Sequence, residues 1–92
     1  MMVKKSNIRF VQLKEFLEGM GFTATRGKAG WRFEHEPSGT IFHFRPYRVT
    51  DRVYYIHLFV VRSQLDARGM LSERAFDESL TDAFAYPSRG PN

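Results

Sequence analysis

Three histidines and a set of arginines are the side chains in this sequence with the most capacity for chemistry. His35, His43 and His57 lie on different predicted elements, and none has a spacing such as HxxxH that places two metal ligands on one face. The chain has no cysteine, which excludes disulfides, cysteine-ligated zinc and a thiol nucleophile. The serines form no nucleophile elbow, and the acidic residues form no carboxylate pair. We therefore expect no metal, no cofactor and no small-molecule substrate.

The basic residues are concentrated in the first two thirds of the chain. The net charge is +4, and residues 1–62 hold eleven Lys and Arg against five Asp and Glu, whereas residues 63–92 hold three against five. This asymmetry is typical of a surface that faces a polyanion. Two interpretations stay open, because such a cluster either grips nucleic-acid phosphates or is an ordinary solvated face. The residues predicted to contact nucleic acid are Arg26, Lys28, Arg32, His43, Arg45, Arg48 and Arg52.

A helix and three strands must position these side chains. Apolar residues at helical spacing predict a helix over residues 10–20, ended by Gly21. Alternating patterns and turn residues predict three strands, which cover residues 22–26, 31–35 and 40–45. The last two strands are joined at Glu36-Pro37-Ser38-Gly39, where Pro and Gly suit a type I turn. We therefore predict a β-hairpin there.

The turn fixes the register of this hairpin. With Pro37-Ser38 as a two-residue loop, one face becomes aromatic and is the predicted core face, formed by Trp31, Phe33, Phe42 and Phe44. On the opposite face Arg32 lies across from His43, and Arg45 lies near Gly30. A loop of odd length would mix the two faces. Trp31 either packs in this core or offers a platform for base stacking.

The segment from Val53 to Val61 is ambiguous. Its residues favour a strand by composition, yet apolar residues at helical spacing continue to Leu65 and predict a helix over 54–68, with His57 half-buried. Ser72 is a good cap for a last helix. The longest apolar stretch has nine residues, whereas a membrane span needs about 20, so we expect no membrane contact.

These elements predict an α+β fold in the order α-β-β-β-α-α. A three-stranded antiparallel sheet would have its helices packed on one face. We expect a single domain over residues 1–92, with a core from about 8 to 84. Residues 1–7 suggest a loose basic start, and residues 85–92 suggest a frayed tail.

Several stretches resemble the HicA-like toxins of bacterial toxin–antitoxin pairs. The similarity covers roughly residues 8–81 and is carried by LKEFLEGMGFTATR, WRFEHEPSGT, FRPYR and LDARGMLSERAFD. Its most specific parts are Met20-Gly21-Phe22, the strand and turn from Phe33 to Gly39, and Gly69-Met70-Leu71. The resemblance implies a fold like the double-stranded-RNA-binding domain (dsRBD-like). It also implies metal-independent, ribosome-independent mRNA cleavage and neutralisation by a HicB-like antitoxin.

The sequence departs from this family at the catalytic position. The family opens its second strand with Gly-Ser-His, and the histidine is catalytic; counting back from Phe33 places Gly30 there. A general acid or base contributes roughly 10²–10⁴-fold to the rate, so we expect weak or absent RNA cleavage. His43 is the nearby alternative base. If the backbone at residue 30 accepts a side chain, Gly30→His is expected to restore some cleavage.

Two functions of different classes are therefore expected. The first is a HicA-like RNA-binding domain that is a weak or inactive mRNA interferase, so whether the chain is an enzyme stays open. The second is a non-catalytic interaction module whose basic sheet face docks an acidic, HicB-like partner. The absence of cysteine suits a cytoplasmic location. Steep salt dependence of RNA binding would favour the first function.

Overall fold

The computed structural model describes residues 4–80. These residues form two compact units, one spanning Arg9–Asp51 and the other joining residues 4–8 to residues 52–80. The elements in chain order are β1 (Lys5–Arg9), α1 (Phe10–Gly19), β2 (Thr23–Arg26), β3 (Trp31–His35), β4 (Thr40–Phe44), β5 (Arg52–Tyr54), α2 (Tyr55–Ala67) and α3 (Glu73–Ser79). The predicted α+β class is confirmed, with three helices and a three-stranded antiparallel sheet among the described residues.

The sheet of the Arg9–Asp51 unit has the order β2-β3-β4 with antiparallel neighbours. The predicted register of the β3–β4 hairpin is confirmed, because Phe33 lies opposite Phe42 and Arg32 lies opposite His43. The turn spans four residues, Glu36 to Gly39, instead of two, but the count stays even and the faces stay sorted. The aromatic alternation and an even number of turn residues were thus sufficient to fix the pairing.

An aromatic cluster forms the core of this unit. Phe33 is fully buried, and Phe42 and Phe44 are buried beside it, as predicted. The Phe10 ring at the start of α1 lies 5.9 Å from the rings of Phe33 and Phe44 and stacks on Tyr47 at 5.0 Å, measured between ring centroids. Rings in such edge and stacked contacts add to the stability that burial alone provides.

Helix α1 ends as its sequence predicts. Gly21 adopts a φ of +99°, and its N–H donates to the Glu18 carbonyl while the Phe22 N–H donates to the Leu17 carbonyl. This pair of hydrogen bonds is the Schellman arrangement, which favours glycine because of the left-handed backbone. The chain therefore turns at once from α1 into β2.

The second unit contains two strands that the predicted order α-β-β-β-α-α lacks. β1 pairs with β5 in a two-stranded sheet, so the order in the structure is β-α-β-β-β-β-α-α. β1 includes residues that were assigned to a loose basic start, and β5 begins in the segment predicted as a loop. The buried Ser6 explains the omission, because a polar residue at an inward position obscures the alternation of the strand. Its hydroxyl donates to the Val53 carbonyl at 2.7 Å, which compensates for burial.

Helices α2 and α3 follow the sequence prediction closely. α2 spans Tyr55–Ala67 and resolves the ambiguous segment as helix, because its buried residues Leu58, Val61 and Leu65 share one face. The Ser72 side chain accepts the Ala75 N–H at the start of α3. Arg62 of α2 binds the Asp77 carboxylate of α3 with two hydrogen bonds of 2.8 and 2.9 Å. These bonds, with burial of Phe76, join the two helices within the unit.

The end of the predicted core at residue 84 and the predicted tail, residues 85–92, lie outside the described residues. No helix within residues 4–80 is long and apolar enough to cross a membrane.

Candidate nucleic-acid interface

The outer face of the three-stranded sheet carries one row of polar side chains across all three strands. Thr25 pairs with Arg32, and Arg32 pairs with His43. All three side chains are exposed, on the face opposite the buried aromatic residues. The register therefore brings two of the predicted contact residues, Arg32 and His43, directly side by side.

The β2–β3 turn carries a further basic side chain, Lys28. Gly27 and Gly30 exchange backbone hydrogen bonds of 2.8 and 3.4 Å, so Lys28 and Ala29 form the tip of a tight hairpin. Both tip residues are exposed. Because the flanking positions are glycines, no side chain fills the outer face between the tip and Arg32.

The missing side chains leave an open cleft of about 450 Å³. Its volume falls within the range typical of small-ligand sites. Lys28, Arg32 and His43 give it a basic rim, and no acidic residue lines it. The lining residues are Thr25, Gly27, Lys28, Ala29, Gly30, Trp31, Arg32, His43 and Phe44.

Gly30 lines this cleft and cannot be replaced without distortion. Its φ is +144°, a conformation that side-chain-bearing residues rarely adopt. A Cβ at this position would overlap the Phe44 carbonyl oxygen and lie 3.1 Å from the carbonyl carbon of Arg45. The backbone at residue 30 therefore does not accept a side chain, so Gly30→His is not expected to restore cleavage. Histidine at residue 30 would require the β3–β4 pairing to shift.

The far half of the outer face is less basic than the sequence suggested. Arg32 Nη1 lies 2.9 Å from Glu34 Oε1 on the same strand. Ile41, the cross-strand partner of Glu34, is 40% exposed. The outer face therefore divides into a basic half toward the β2–β3 turn and a mixed half toward the β3–β4 turn.

Two predicted contact residues stack on aromatic rings. Arg26 pairs across the strands with Trp31, and its guanidinium lies 5.6 Å from the centre of the Trp31 ring. This pairing places Arg26 in the aromatic row instead of the Arg32 row. The Arg45 guanidinium lies 5.2 Å from the centre of the Tyr47 ring. Both side chains are exposed and keep a cation at the edge of the sheet.

Trp31 is anchored as a half-buried core residue. Its indole Nε1–H donates to the Tyr47 carbonyl at 2.9 Å, and its ring lies 5.1 Å from the Phe10 ring. Arg26 covers another part of the ring, so packing accounts for Trp31 better than base stacking does. One edge still lines the cleft.

The remaining predicted contact residues do not line the cleft. Arg48 is exposed in the loop after β4, where its backbone N–H donates to Asp51 Oδ2 at 2.9 Å. Arg52 is exposed in β5 and belongs to the other compact unit. Of the seven residues, three line the cleft, Lys28, Arg32 and His43, and the other four do not.

The other histidines have structural roles. His35 Nδ1 lies 2.8 Å from Ser38 Oγ in the β3–β4 turn. His57 is half-buried, as predicted, with its ring 5.5 Å from the Tyr54 ring. Within residues 4–80 no three His, Asp or Glu side chains are grouped so as to hold a metal ion.

The sequence analysis missed Thr25 and Gly27 as cleft residues. The same pairing logic would have found them, because the Gly27–Gly30 turn sets the β2–β3 register just as Glu36–Gly39 sets the next one. No local sequence pattern indicates the close contact between Gly30 and the Phe44 carbonyl, because Phe44 lies on a different strand, β4. It required the structure.

Comparison of the chain with protein-family models, with curated proteins and with solved structures finds no match.

Proposed function

We propose that this chain binds RNA through the basic cleft at the β2–β3 turn, as a HicA-like domain of a toxin–antitoxin system. The observation that carries the proposal is the grouping of Lys28, Arg32 and His43 around an open cleft without an acidic residue in its lining. Lysine and arginine bind phosphate oxygens, and such contacts supply most of the affinity for nucleic acid. The proposal includes a dsRBD-like arrangement, with the helices on one face of the sheet, and a cytoplasmic location.

The proposed activity is binding with little or no cleavage. A proton-transfer group at residue 30 is missing, and the overlap with the Phe44 carbonyl explains why no side chain replaces the glycine. His43 is the remaining imidazole at the cleft, beside Arg32. Cleavage of RNA through its 2′-hydroxyl needs a general base, so any residual activity would depend on His43.

Salt-dependent binding of a long RNA tests the proposal. With about four phosphate contacts, the slope of log K against log salt concentration is expected to be roughly −3. Lys28→Glu combined with Arg32→Glu should abolish binding, because it replaces two cations at the cleft by anions. Arg68→Glu combined with Arg74→Glu is the matched control, since it makes the same charge change at two exposed residues of the other unit. Equal losses of RNA affinity in both variants would mean that RNA binds elsewhere on the chain or that net charge alone determines the affinity.

A cleavage assay in chelator tests the catalytic part. The wild-type protein should leave a long RNA intact under conditions in which it binds. Metal-independent cleavage that His43→Ala removes would overturn the proposed inactivity and make His43 the catalytic base. Cleavage that His43→Ala leaves unchanged would point to a contaminating nuclease or to another site.

Docking of an acidic, HicB-like protein partner is a second candidate function. The mixed half of the outer face favours it, because the exposed Ile41 beside the Arg32–Glu34 ion pair suits a protein surface better than a phosphate backbone. Ile41→Lys should weaken a protein complex and leave RNA affinity unchanged or slightly higher. A stable complex with the product of a neighbouring gene, together with no RNA binding, would favour this second function.

A further inference from the structure

Helix α2 presents an uncharged stripe to solvent. Ile56, Phe59 and Val60 are 61%, 49% and 50% exposed, more than any other large apolar side chain within residues 4–80. The opposite face of the helix is already used, since it buries the residues that join α2 to its own unit. Exposed apolar side chains that are grouped on one element mark interaction surfaces more often than scattered ones do.

The stripe extends along the whole helix. Ile56, Val60, Ser63 and Ala67 follow one another at intervals of four, three and four residues, which is the spacing of a helix–helix seam. Ser63 and Ala67 are exposed and small. Small side chains at one end allow two helices to approach closely there, while the larger side chains at the other end interlock.

The two sides of the stripe carry opposite charges. Asp66 and Arg68 stand one residue before and one residue after Ala67, and both are exposed. Successive residues of a helix are about 100° apart, so these charges flank the stripe on opposite sides. The stripe is therefore uncharged at its centre, acidic on one flank and basic on the other near its end.

We propose that a second copy of this chain covers this stripe, with the two α2 helices parallel around a twofold axis. In a parallel pair the acidic flank of each helix meets the basic flank of the other, so Asp66 of one copy faces Arg68 of its partner. In an antiparallel pair the two helix ends that carry Asp66 and Arg68 lie apart, so neither charge meets its counterpart. The charge pattern of the stripe is thus complementary to itself in one arrangement only.

The pairing is weak and depends on concentration. Stable interfaces bury about 1,600 Å² in total, and one face of a 13-residue helix supplies less than that share. A net charge of +4 on each copy also opposes association. The chain is accordingly a monomer at low concentration and a dimer at high concentration.

Sedimentation equilibrium from about 1 μM to about 1 mM tests the dimer. The wild-type mass should rise toward twice that of the monomer, whereas Val60→Lys should stay monomeric throughout. Val49→Lys is the matched control, because it places the same charge on a 45% exposed valine outside α2 and should dimerise like the wild type. A wild-type chain that stays monomeric would overturn the proposal and leave the stripe to a different macromolecule. A Val60→Lys dimer would show that another surface is used.

Charge exchange tests the parallel arrangement. Asp66→Arg should weaken the dimer about tenfold, because both flanks become basic, and Asp66→Arg combined with Arg68→Asp should restore it. Arginine at residue 66 also faces Arg62 one turn earlier, but this cost is common to both variants and cannot produce the restoration. Failure of the double exchange to recover dimerisation would overturn the parallel pairing.

Discussion

The two turns of the three-stranded sheet differ in what closes them. Side chains add to the backbone hydrogen bonds that close the Glu36–Gly39 turn, where Ser38 Oγ lies 2.8 Å from His35 Nδ1 and 2.7 Å from Thr40 Oγ1. The Gly27–Gly30 turn is closed by backbone hydrogen bonds between its two glycines, and Arg26 Nη1 donates to the Gly27 carbonyl at 2.6 Å, while Lys28 is exposed at the tip. The polar side chains of the Glu36–Gly39 turn hold that hairpin together, whereas the Lys28 side chain of the other turn is exposed to solvent. This contrast adds to the grouping of basic side chains at the cleft as a reason to place a ligand at the β2–β3 end.

Both turns are attached to β3, so the largest expected effect comes from the centre of that strand. Phe33→Ala should lower the free energy of unfolding by about 3–5 kcal/mol, because it opens a cavity at a fully buried ring. Urea denaturation measures the loss, with Thr25→Ala on the exposed face of β2 as the control. A loss below about 1 kcal/mol would contradict the central role of the aromatic face in both turns.

Exchange of one glycine in each turn sharpens the contrast. Gly30→Ala should cost about 3 kcal/mol or more, since it combines a φ of +144° with overlap on the Phe44 carbonyl. Gly39→Ala should cost about 1 kcal/mol, because its φ is +73° and no atom lies within 4 Å of the added Cβ. Thermal or urea unfolding of the two variants compares them directly. Equal losses would mean that the β2–β3 turn can relax away from β4.

Sequence reasoning succeeded where the information was local. The alternation of Trp31 to His35 and of Thr40 to Phe44, together with an even turn, fixed the β3–β4 register. The helical spacing through Leu58 and Leu65 outweighed the strand-like composition of the segment, and α2 is indeed a helix. In both cases one residue pattern determined which face is buried.

The failures have a common cause in long-range contacts. β1 and β5 form one sheet although Ser6 and Val53 are 47 residues apart, and neither strand has a strong pattern of its own. Closeness in sequence also overstated the basic cluster. Arg26 lies with the aromatic row and Arg52 lies in the other unit, so a linear count of cations predicted the charge but not its distribution.

Charge removal at each turn should affect RNA affinity in only one case. Lys28→Ala is expected to weaken binding about tenfold, or about 1.4 kcal/mol, and to reduce the salt slope by about 0.7 to 0.9 through the loss of one phosphate contact. Glu36→Ala at the other turn should not weaken binding, because it removes an anion from the end opposite the cleft. Fluorescence anisotropy at several salt concentrations measures both. A weakening of similar size in Glu36→Ala would mean that RNA spans the whole outer face.

The smallest expected effect is at the hydroxyl that closes the β3–β4 turn. Ser38→Ala removes contacts to His35 and Thr40 and should lower the free energy of unfolding by about 1 kcal/mol, a modest loss because the turn is exposed and water replaces the hydroxyl. RNA affinity should stay unchanged, which makes this variant the converse of Lys28→Ala. Urea denaturation and anisotropy on the same protein separate the two effects. If Ser38→Ala weakened RNA binding as much as Lys28→Ala while leaving stability intact, the assignment of roles to the two turns would have to be reversed.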